Sequence, residues 1–191
     1  LGETLGLSGS GATILRGHSH HCWCLVLSSD GDTLFSGSAD GTIRAWTTQP
    51  PYELKATLRG HTGVVYALVI LRGWLISGSS DRQIRVWDMR TLSCEQVLPE
   101  RQAPLLSMAH AGGFVFAGCQ DGSLHQWRCA EAATSSNGGS IGVLEFVCSV
   151  QAHEGGVYAA LGVGEQLATG AADAKLRFWA GASVGRAESD G

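Results

Sequence analysis

Residues 77–87 read SGSSDRQIRVW, and this pattern recurs along the chain. Each copy has a small residue, a Gly, two further residues and an Asp, and a Trp stands six residues after that Asp. The five-residue phrase occupies residues 36–40, 77–81, 117–121 and 169–173. The successive Trp residues are 41, 40 and 52 positions apart. A repeat of this length indicates one supersecondary unit that is copied and stacked.

Each copy is built from short strands. Ahead of Trp87, apolar Ile84 and Val86 alternate with Arg85, and alternation at period two is typical of a β-strand. Asp40-Gly41 and Asp121-Gly122 predict tight hairpin turns, because Gly and Asp tolerate positive φ. In the second copy we predict four strands, at residues 64–70, 74–77, 83–87 and 94–98. Helical periodicity is absent from the sequence.

The chain resembles the WD-repeat β-propeller family. Gly17-His18 and Gly60-His61 are similar to the family's Gly-His dipeptide, and Trp87-Asp88 is similar to its Trp-Asp ending. The repeat length agrees as well. The resemblance implies an all-β fold of four antiparallel four-stranded blades. These blades either close on themselves or belong to a larger ring, for example one of seven blades.

The resemblance places the propeller domain at residues 12–180. We expect repeats at about 12–47, 53–88, 94–128 and 145–180. Outside them we expect a flexible N-terminal segment (1–11), a mobile insertion (130–144) and a disordered tail (181–191). No outer strand for the fourth blade follows Trp179. Residues 12–16 have strand character, and they either close that blade or complete a blade of a longer propeller.

The resemblance also implies a hydrogen-bonded tetrad of Trp, Ser or Thr, His and Asp inside each blade. The Trp indole can only donate a hydrogen bond, so it forms one end of the hydrogen-bonded series. The Asp forms the other end, where it accepts a hydrogen bond from the His. The predicted tetrads are His18, Ser36, Asp40 and Trp46; His61, Ser77, Asp81 and Trp87; and His153, Thr169, Asp173 and Trp179. The third copy has Arg101 and Ala117 at the His and Ser positions, so we predict that its blade is the least stable.

Ser, His and Asp are also the parts of a hydrolase triad. A catalytic triad occurs once in an enzyme, whereas this set is repeated. We therefore predict a protein that is not an enzyme, with no catalytic residue and no cofactor.

A metal site is an alternative of a different class. Residues 18–24, HSHHCWC, are the stretch densest in metal-type ligands. The alignment of the repeats assigns His18 to a tetrad and Cys22 and Cys24 to apolar strand positions, which leaves only His20 and His21.

The six Cys show no disulfide framework. Reduced thiols predict a cytoplasmic location, with the nucleus as the alternative.

The resemblance implies that partners bind on the top face, at the mouth of the central channel. The positions concerned are the third and fifth residues after the tetrad His and the residue before the turn Asp. The predicted protein-binding residues are Trp23, Tyr66, Leu106, Tyr158, His21, Val64, Ser80 and Gln120. Three aromatic residues share the fifth position, and aromatic residues concentrate binding energy at interfaces. The alternative is that they pack between blades.

The net charge and the hydropathy of the chain limit the classes of partner that we expect. The net charge is −4, which gives no broad electrostatic footprint for nucleic acid. No apolar run approaches the ~20 residues that cross a bilayer, so no membrane partner is expected. We predict a non-catalytic scaffold that binds peptide segments or other subunits of a complex. The resemblance leaves open a substrate-recognition module of a ubiquitin ligase, a structural subunit of a cytoskeletal or ciliary assembly, and further blades from the same or another chain.

Overall fold

The computed structural model describes residues 13–99, 103–129, 133–134, 140–141 and 144–180. Within these residues the structure has seventeen β-strands. β-branched, aromatic and apolar runs between Gly- and Asp-containing turns favour strands joined by hairpins. Within the described residues there is no helix of the length and apolarity that a bilayer crossing requires. The predicted segments 1–11 and 181–191, Arg101 and most of the insertion 130–144 lie outside the described residues.

The strands form five antiparallel sheets: a two-stranded sheet in the insertion and four larger sheets, which we number as blades in chain order. Blade one contains β1 (Cys22–Leu27), β2 (Thr33–Ser38), β3 (Ile43–Thr47) and β4 (Leu54–Leu58). Blade two contains β5 (Val65–Leu71), β6 (Trp74–Ser79), β7 (Ile84–Asp88) and β8 (Cys94–Leu98). Blade three begins with β9 (Leu105–Ala111), β10 (Phe114–Cys119) and β11 (Ser123–Cys129). In the insertion, β12 (Ala133–Thr134) pairs with β13 (Ser140–Ile141), and β14 (Leu144–Gln151) then completes blade three. Blade four contains β15 (Val157–Val163), β16 (Gln166–Ala171) and β17 (Leu176–Trp179).

This architecture confirms the predicted all-β propeller of four antiparallel blades. In the described part, blade four has three strands, and residues 13–17 form no strand on its edge. Of the two roles expected for residues 12–16, the described part therefore does not contain closure of this blade, and a role in a longer propeller stays a prediction. Leu15 instead shares the lining of one pocket with Cys22 and Leu25 of blade one.

The core lies between neighbouring blades. We call the face of a blade that packs on the next blade its forward face, and the opposite face its rear face. Between blades one and two, the forward face supplies Phe35, Ile43 and Ala45, and the rear face supplies Val65, Leu68, Leu75 and Trp87. The same arrangement joins blade two to blade three and blade three to blade four. Burial of these alternate strand residues holds the blades in sequence.

Each innermost strand carries one register shift near its start. On β1 the pairing passes from Cys22 to Cys24, and on β5 it passes from Val65 to Ala67. On β9 it skips Leu106, and on β15 it skips Tyr158. A β-bulge leaves one residue out of the ladder and turns its side chain in a new direction. The bulged residues are thus Trp23, Tyr66, Leu106 and Tyr158.

Candidate functional site

Three predicted tetrads are present within the described residues. In blade two, Trp87 Nε1 donates to Ser77 Oγ at 2.9 Å. Ser77 Oγ lies 2.8 Å from His61 Nε2, and His61 Nδ1 lies 2.7 Å from Asp81 Oδ2. Blades one and four repeat the chain with contacts of 2.8–3.0 Å. The Asp fixes the proton on Nδ1, so Nε2 accepts from the hydroxyl.

The tetrad carboxylates also hold the turns in place. Asp81 Oδ1 accepts from the backbone N–H of Gln83 at 2.9 Å, and its Oδ2 accepts from that of Thr62 at 3.0 Å. Burial raises the pKa of Asp81, but the hydrogen bonds from His61 and these N–H groups outweigh it and lower the pKa to about 2. Burial also raises the pKa values of Asp40 and Asp173, but their hydrogen bonds outweigh it and hold both pKa values below the ordinary value for Asp. Each tetrad is therefore a structural clamp between a turn and the loop ahead of a blade.

The hydroxyls of these tetrads are poorly placed as nucleophiles. Ser77 is fully buried, and its oxygen is shared by an indole N–H and an imidazole. Thr169 is 1% exposed and has the same two partners. A nucleophile must meet a substrate at a surface or in a cleft. The geometry therefore favours the structural role over the hydrolase alternative.

Blade three has a different polar network. Ala117 stands where the other blades have Ser or Thr, and it is fully buried. Ser123 Oγ donates to Asp121 Oδ1 at 2.6 Å and lies 3.0 Å from His125 Nε2. The His125 ring stacks on Trp127 with 5.8 Å between centroids. His125 occupies the strand position of Arg44, Arg85 and Arg177, and no role was predicted for it.

The segment at residues 18–24 does not gather metal ligands. His18 contacts Asp40 and Ser36 in its tetrad, and Cys22 and His20 are exposed. Burial raises the pKa of the Cys24 thiol to about 12, which disfavours the thiolate that binds metals. Among the described residues, no group of three His, Cys, Asp or Glu has the proximity that a metal ion needs.

The four bulged residues meet around one pocket on the top face. Its volume is about 370 Å³, and its lining residues are Trp23, Tyr66, Ser80, Pro104, Leu106, Gln120 and Tyr158. All four blades contribute to this lining. None of the seven residues carries a formal charge, so the surface is apolar with a few polar groups. Trp23 and Tyr158 are 55% and 65% exposed, which leaves their rings accessible to a ligand.

Backbone hydrogen bonds fix the rim of this pocket. The N–H of the residue before each turn Asp donates to the carbonyl of the residue three after the tetrad His position. In blades one and two these bonds are Ala39 to His21 and Ser80 to Val64, both 2.9 Å. Blades three and four have the same bond at 2.9 and 3.0 Å. His21 and Val64 therefore support the rim through their carbonyls and do not line the pocket.

Pro104 is the third residue after the His position of the third copy, one of the top-face positions that the resemblance implies, and it lines the pocket. The bulges were not predicted, because they arise from the register between strands and no residue pattern within one strand records them. The recurring aromatic residue at the fifth position was the signal available in the sequence.

Comparison with known proteins agrees with this architecture. The family model described as "WD domain, G-beta repeat" matches residues 9–47 and 52–88. The target of rapamycin complex subunit wat1 of Schizosaccharomyces pombe is 26% identical over 171 residues, which are 86% of this chain and 52% of the relative. The F-box/WD repeat-containing protein sel-10 of Caenorhabditis elegans is 27% identical over 136 residues, 66% of this chain and 23% of the relative.

A solved structure extends the comparison to the fold. The crystal structure of the computationally designed Ika4 protein has a TM-score of 0.71 and 25% identity, and the match covers 87% of this chain and 94% of that one. The chain spans about half the length of wat1 and less than a quarter of sel-10. The repeated phrase, the three tetrads in the described residues, the stacked blades and these matches lead to one conclusion: residues 9–47 and 52–88 are similar to WD repeats, and the described blades have the fold of a WD-repeat β-propeller.

Proposed function

We propose that this chain is a non-catalytic scaffold and that the pocket on its top face binds an extended peptide segment of a partner protein. The observation that carries the proposal is the meeting of four bulged side chains from four blades around one opening. Bulges turn side chains out of the ladder, and they occur often beside functional sites. Trp23 also packs on Tyr66 of the next blade, but Trp23 and Tyr158 are 55% and 65% exposed, so both rings stay accessible to a ligand.

The volume and the lining residues of the pocket indicate the class of ligand that it binds. Its volume falls in the range of small-ligand pockets, which is about 300–1,000 Å³. Trp23, Tyr66 and Tyr158 offer large, rigid contact surfaces, and such residues dominate the energetics of interfaces. Ser80 and Gln120 supply hydrogen-bonding groups for a peptide backbone. With no Arg or Lys in the lining, the pocket favours an apolar or mixed peptide over a phosphopeptide.

The relatives support a protein partner. The matched protein wat1 is named as the subunit of a complex, and sel-10 is named for an F-box beside its WD repeats. We keep the substrate-recognition and structural-subunit alternatives as narrower forms of the same scaffold role. The described Cys residues are all free thiols, which supports the cytoplasm or the nucleus as the location.

A peptide selection tests the proposal. The full chain is immobilised, a phage-displayed library of random peptides is selected on it, and enriched peptides are synthesised for titration calorimetry. We expect Trp23→Ala with Tyr158→Ala to weaken binding roughly 30-fold or more, as for the loss of a hot spot of about 2 kcal/mol. The free energy of unfolding should fall by little more than the about 0.5–1.5 kcal/mol of the Trp23–Tyr66 ring contact, because both substituted rings are more than half exposed.

Leu54→Ala is the matched control. Leu54 is a large apolar side chain on β4, 42% exposed and away from the pocket lining. It should leave peptide affinity unchanged. Equal affinity of the native chain and the double variant for every selected peptide would refute the proposed site.

A further inference from the structure

The residue before each turn Asp lies at the rim of the pocket, and in blade two this residue carries a hydroxyl. The four residues at this position are Ala39, Ser80, Gln120 and Ala172. Two of them, Ser80 and Gln120, line the pocket beside the bulged side chains. Blades two and three therefore supply polar groups to an opening whose other described lining residues are aromatic or apolar, apart from the Tyr hydroxyls.

A hydrogen bond from the backbone determines how the Ser80 hydroxyl is used. The N–H of Val64 donates to Ser80 Oγ at 2.8 Å. Gly63 makes this contact possible, because a Cβ on residue 63 would collide with Ser80 Oγ. A hydroxyl donates one hydrogen bond and has two acceptor lone pairs. Within the described residues Val64 is the one partner of this hydroxyl, so its proton stays available to a ligand.

Gln120 adds an uncharged polar group from the neighbouring blade. Its backbone N–H donates to the carbonyl of Pro104 at 2.9 Å, which fixes its place at the rim. The residue is exposed and lines the pocket. An amide side chain donates through its NH2 group and accepts through its oxygen. Together Ser80 and Gln120 offer a ligand both donors and acceptors, and neither carries a charge.

The described lining has no group that would neutralise a charged ligand. Asp81 follows Ser80, but His61 and two backbone N–H groups occupy the carboxylate of Asp81. A cation or an anion that leaves water without an oppositely charged partner is costly to bury. A purely apolar group would instead cover Ser80 and leave its proton unpaired. An uncharged group with its own acceptor and donor avoids both costs.

We propose that the bound peptide anchors in this pocket through an uncharged side-chain amide, that of glutamine or of acetylated lysine. The inference rests on the proposed function and names the side chain that enters the pocket. The amide carbonyl accepts from the Ser80 hydroxyl, and the amide N–H donates to Gln120 Oε1. The aliphatic stem of the anchor lies against the rings of Trp23 and Tyr66, which supply apolar contact area.

Peptides that differ in one side chain test the proposal. Alanine scanning locates the anchor position of a peptide from the phage selection. That position is then occupied in turn by glutamine, acetyllysine, glutamate, methionine, lysine or trimethyllysine, and titration calorimetry with the full chain measures each affinity. We expect the better of the two amides to bind about 3- to 10-fold more tightly than methionine, the gain of one hydrogen bond. Glutamate and lysine should bind more weakly than methionine, because their charges have no partner. The order of glutamine and acetyllysine identifies the source of the amide.

Substitution of Ser80 separates the hydrogen bond from the shape of the pocket. Ser80→Ala should remove the preference for the amide over methionine, and it should leave the affinity for the methionine peptide within about twofold. The methionine peptide controls for any change in the rim when Val64 loses its acceptor. Ser29→Ala is the matched control, since Ser29 is exposed in the turn between β1 and β2 and is not among the described lining residues. It should change neither affinity.

Three results would overturn the inference and leave the proposed function in place. One is binding of the methionine peptide that equals or exceeds that of both amides. Another is tightest binding of a charged side chain, as expected for lysine or trimethyllysine if the aromatic rings hold a cation. The third is an amide preference that Ser80→Ala does not alter. A chain that binds no selected peptide would instead refute the proposed function, and the inference with it.

Discussion

Trp23 lies edge-on against Tyr66, with 5.2 Å between the ring centroids and 70° between the ring planes. The two residues belong to different blades, and each is the bulged residue of its innermost strand. The bulges turn both side chains towards one opening, so the contact joins blade one to blade two at the rim of the pocket. The pocket wall is therefore assembled across a blade junction.

This aromatic pair should couple the two blades energetically. We expect a double-mutant cycle of Trp23→Ala and Tyr66→Ala to give a coupling of about 0.5–1.5 kcal/mol in the free energy of unfolding, the usual value for an edge-to-face pair. Chemical denaturation of the native chain and three variants measures it. Strictly additive effects would show that the two rings do not support one another.

We expect the His of a tetrad to contribute far more to the free energy of unfolding than an exposed His. His61 is 8% exposed and contacts both Ser77 and Asp81. We expect His61→Ala to lower the free energy of unfolding by about 1–3 kcal/mol, because buried partners are left unpaired. His20→Ala is the matched control, since His20 is exposed and only its backbone carbonyl bonds to Ser38. Equal effects of the two substitutions would contradict the role of the tetrad as a clamp.

We expect low pH to reduce the stabilisation that the tetrads give to the folded state. The pKa of Asp81 in the folded protein is about 2, below the ordinary value of 3.8, so the folded state favours the carboxylate. That stabilisation is present in full above about pH 4 and is lost as the pH falls through about 2. Urea unfolding between pH 2 and pH 5 should show the stability gap between the native chain and Asp81→Asn narrow towards low pH. A constant gap over this range would contradict the assignment.

Gly122, in the turn between β10 and β11, lies very close to the backbone of the loop that leads into blade four. Gly122 has φ +86°, and a Cβ there would collide with the backbone oxygen of His153. Gly73 has a similar φ of +82°, but a Cβ there would meet nothing within 4 Å. We expect Gly73→Ala to cost about 1–2 kcal/mol of backbone strain and Gly122→Ala to cost a further ~1–2 kcal/mol or more, because the His153 loop must move. Thermal and chemical unfolding measure the difference, and equal costs would show that this close approach does not exist.

Much of the fold was predictable because it is repeated. The period of Trp46, Trp87, Trp127 and Trp179 predicted the blades, and three tetrads predicted from the sequence are present in the described residues. The fifth-position residues Trp23 and Tyr158 were predicted to share a surface, and they line one pocket. Their role in binding stays a prediction.

The remaining features depend on contacts between distant parts of the chain. The stacking of His125 on Trp127 replaces the tetrad arrangement of the other blades, and only packing inside blade three determines it. Whether blade three is the least stable also stays a prediction. Leu15 and Leu25 line one pocket although they lie on different segments, and residue alternation within one strand carries no information about such an arrangement.

The central claim is that the pocket bounded by the bulged residues holds a partner peptide, and photo-cross-linking tests it most directly. A selected peptide that carries a benzophenone side chain is irradiated with the full chain, and mass spectrometry locates the adduct. We predict adducts on Trp23, Tyr66, Leu106 or Tyr158, the residues that line the opening. Adducts confined to the outer strands β4, β8 and β14, or to the lower turns of the blades, would contradict the account.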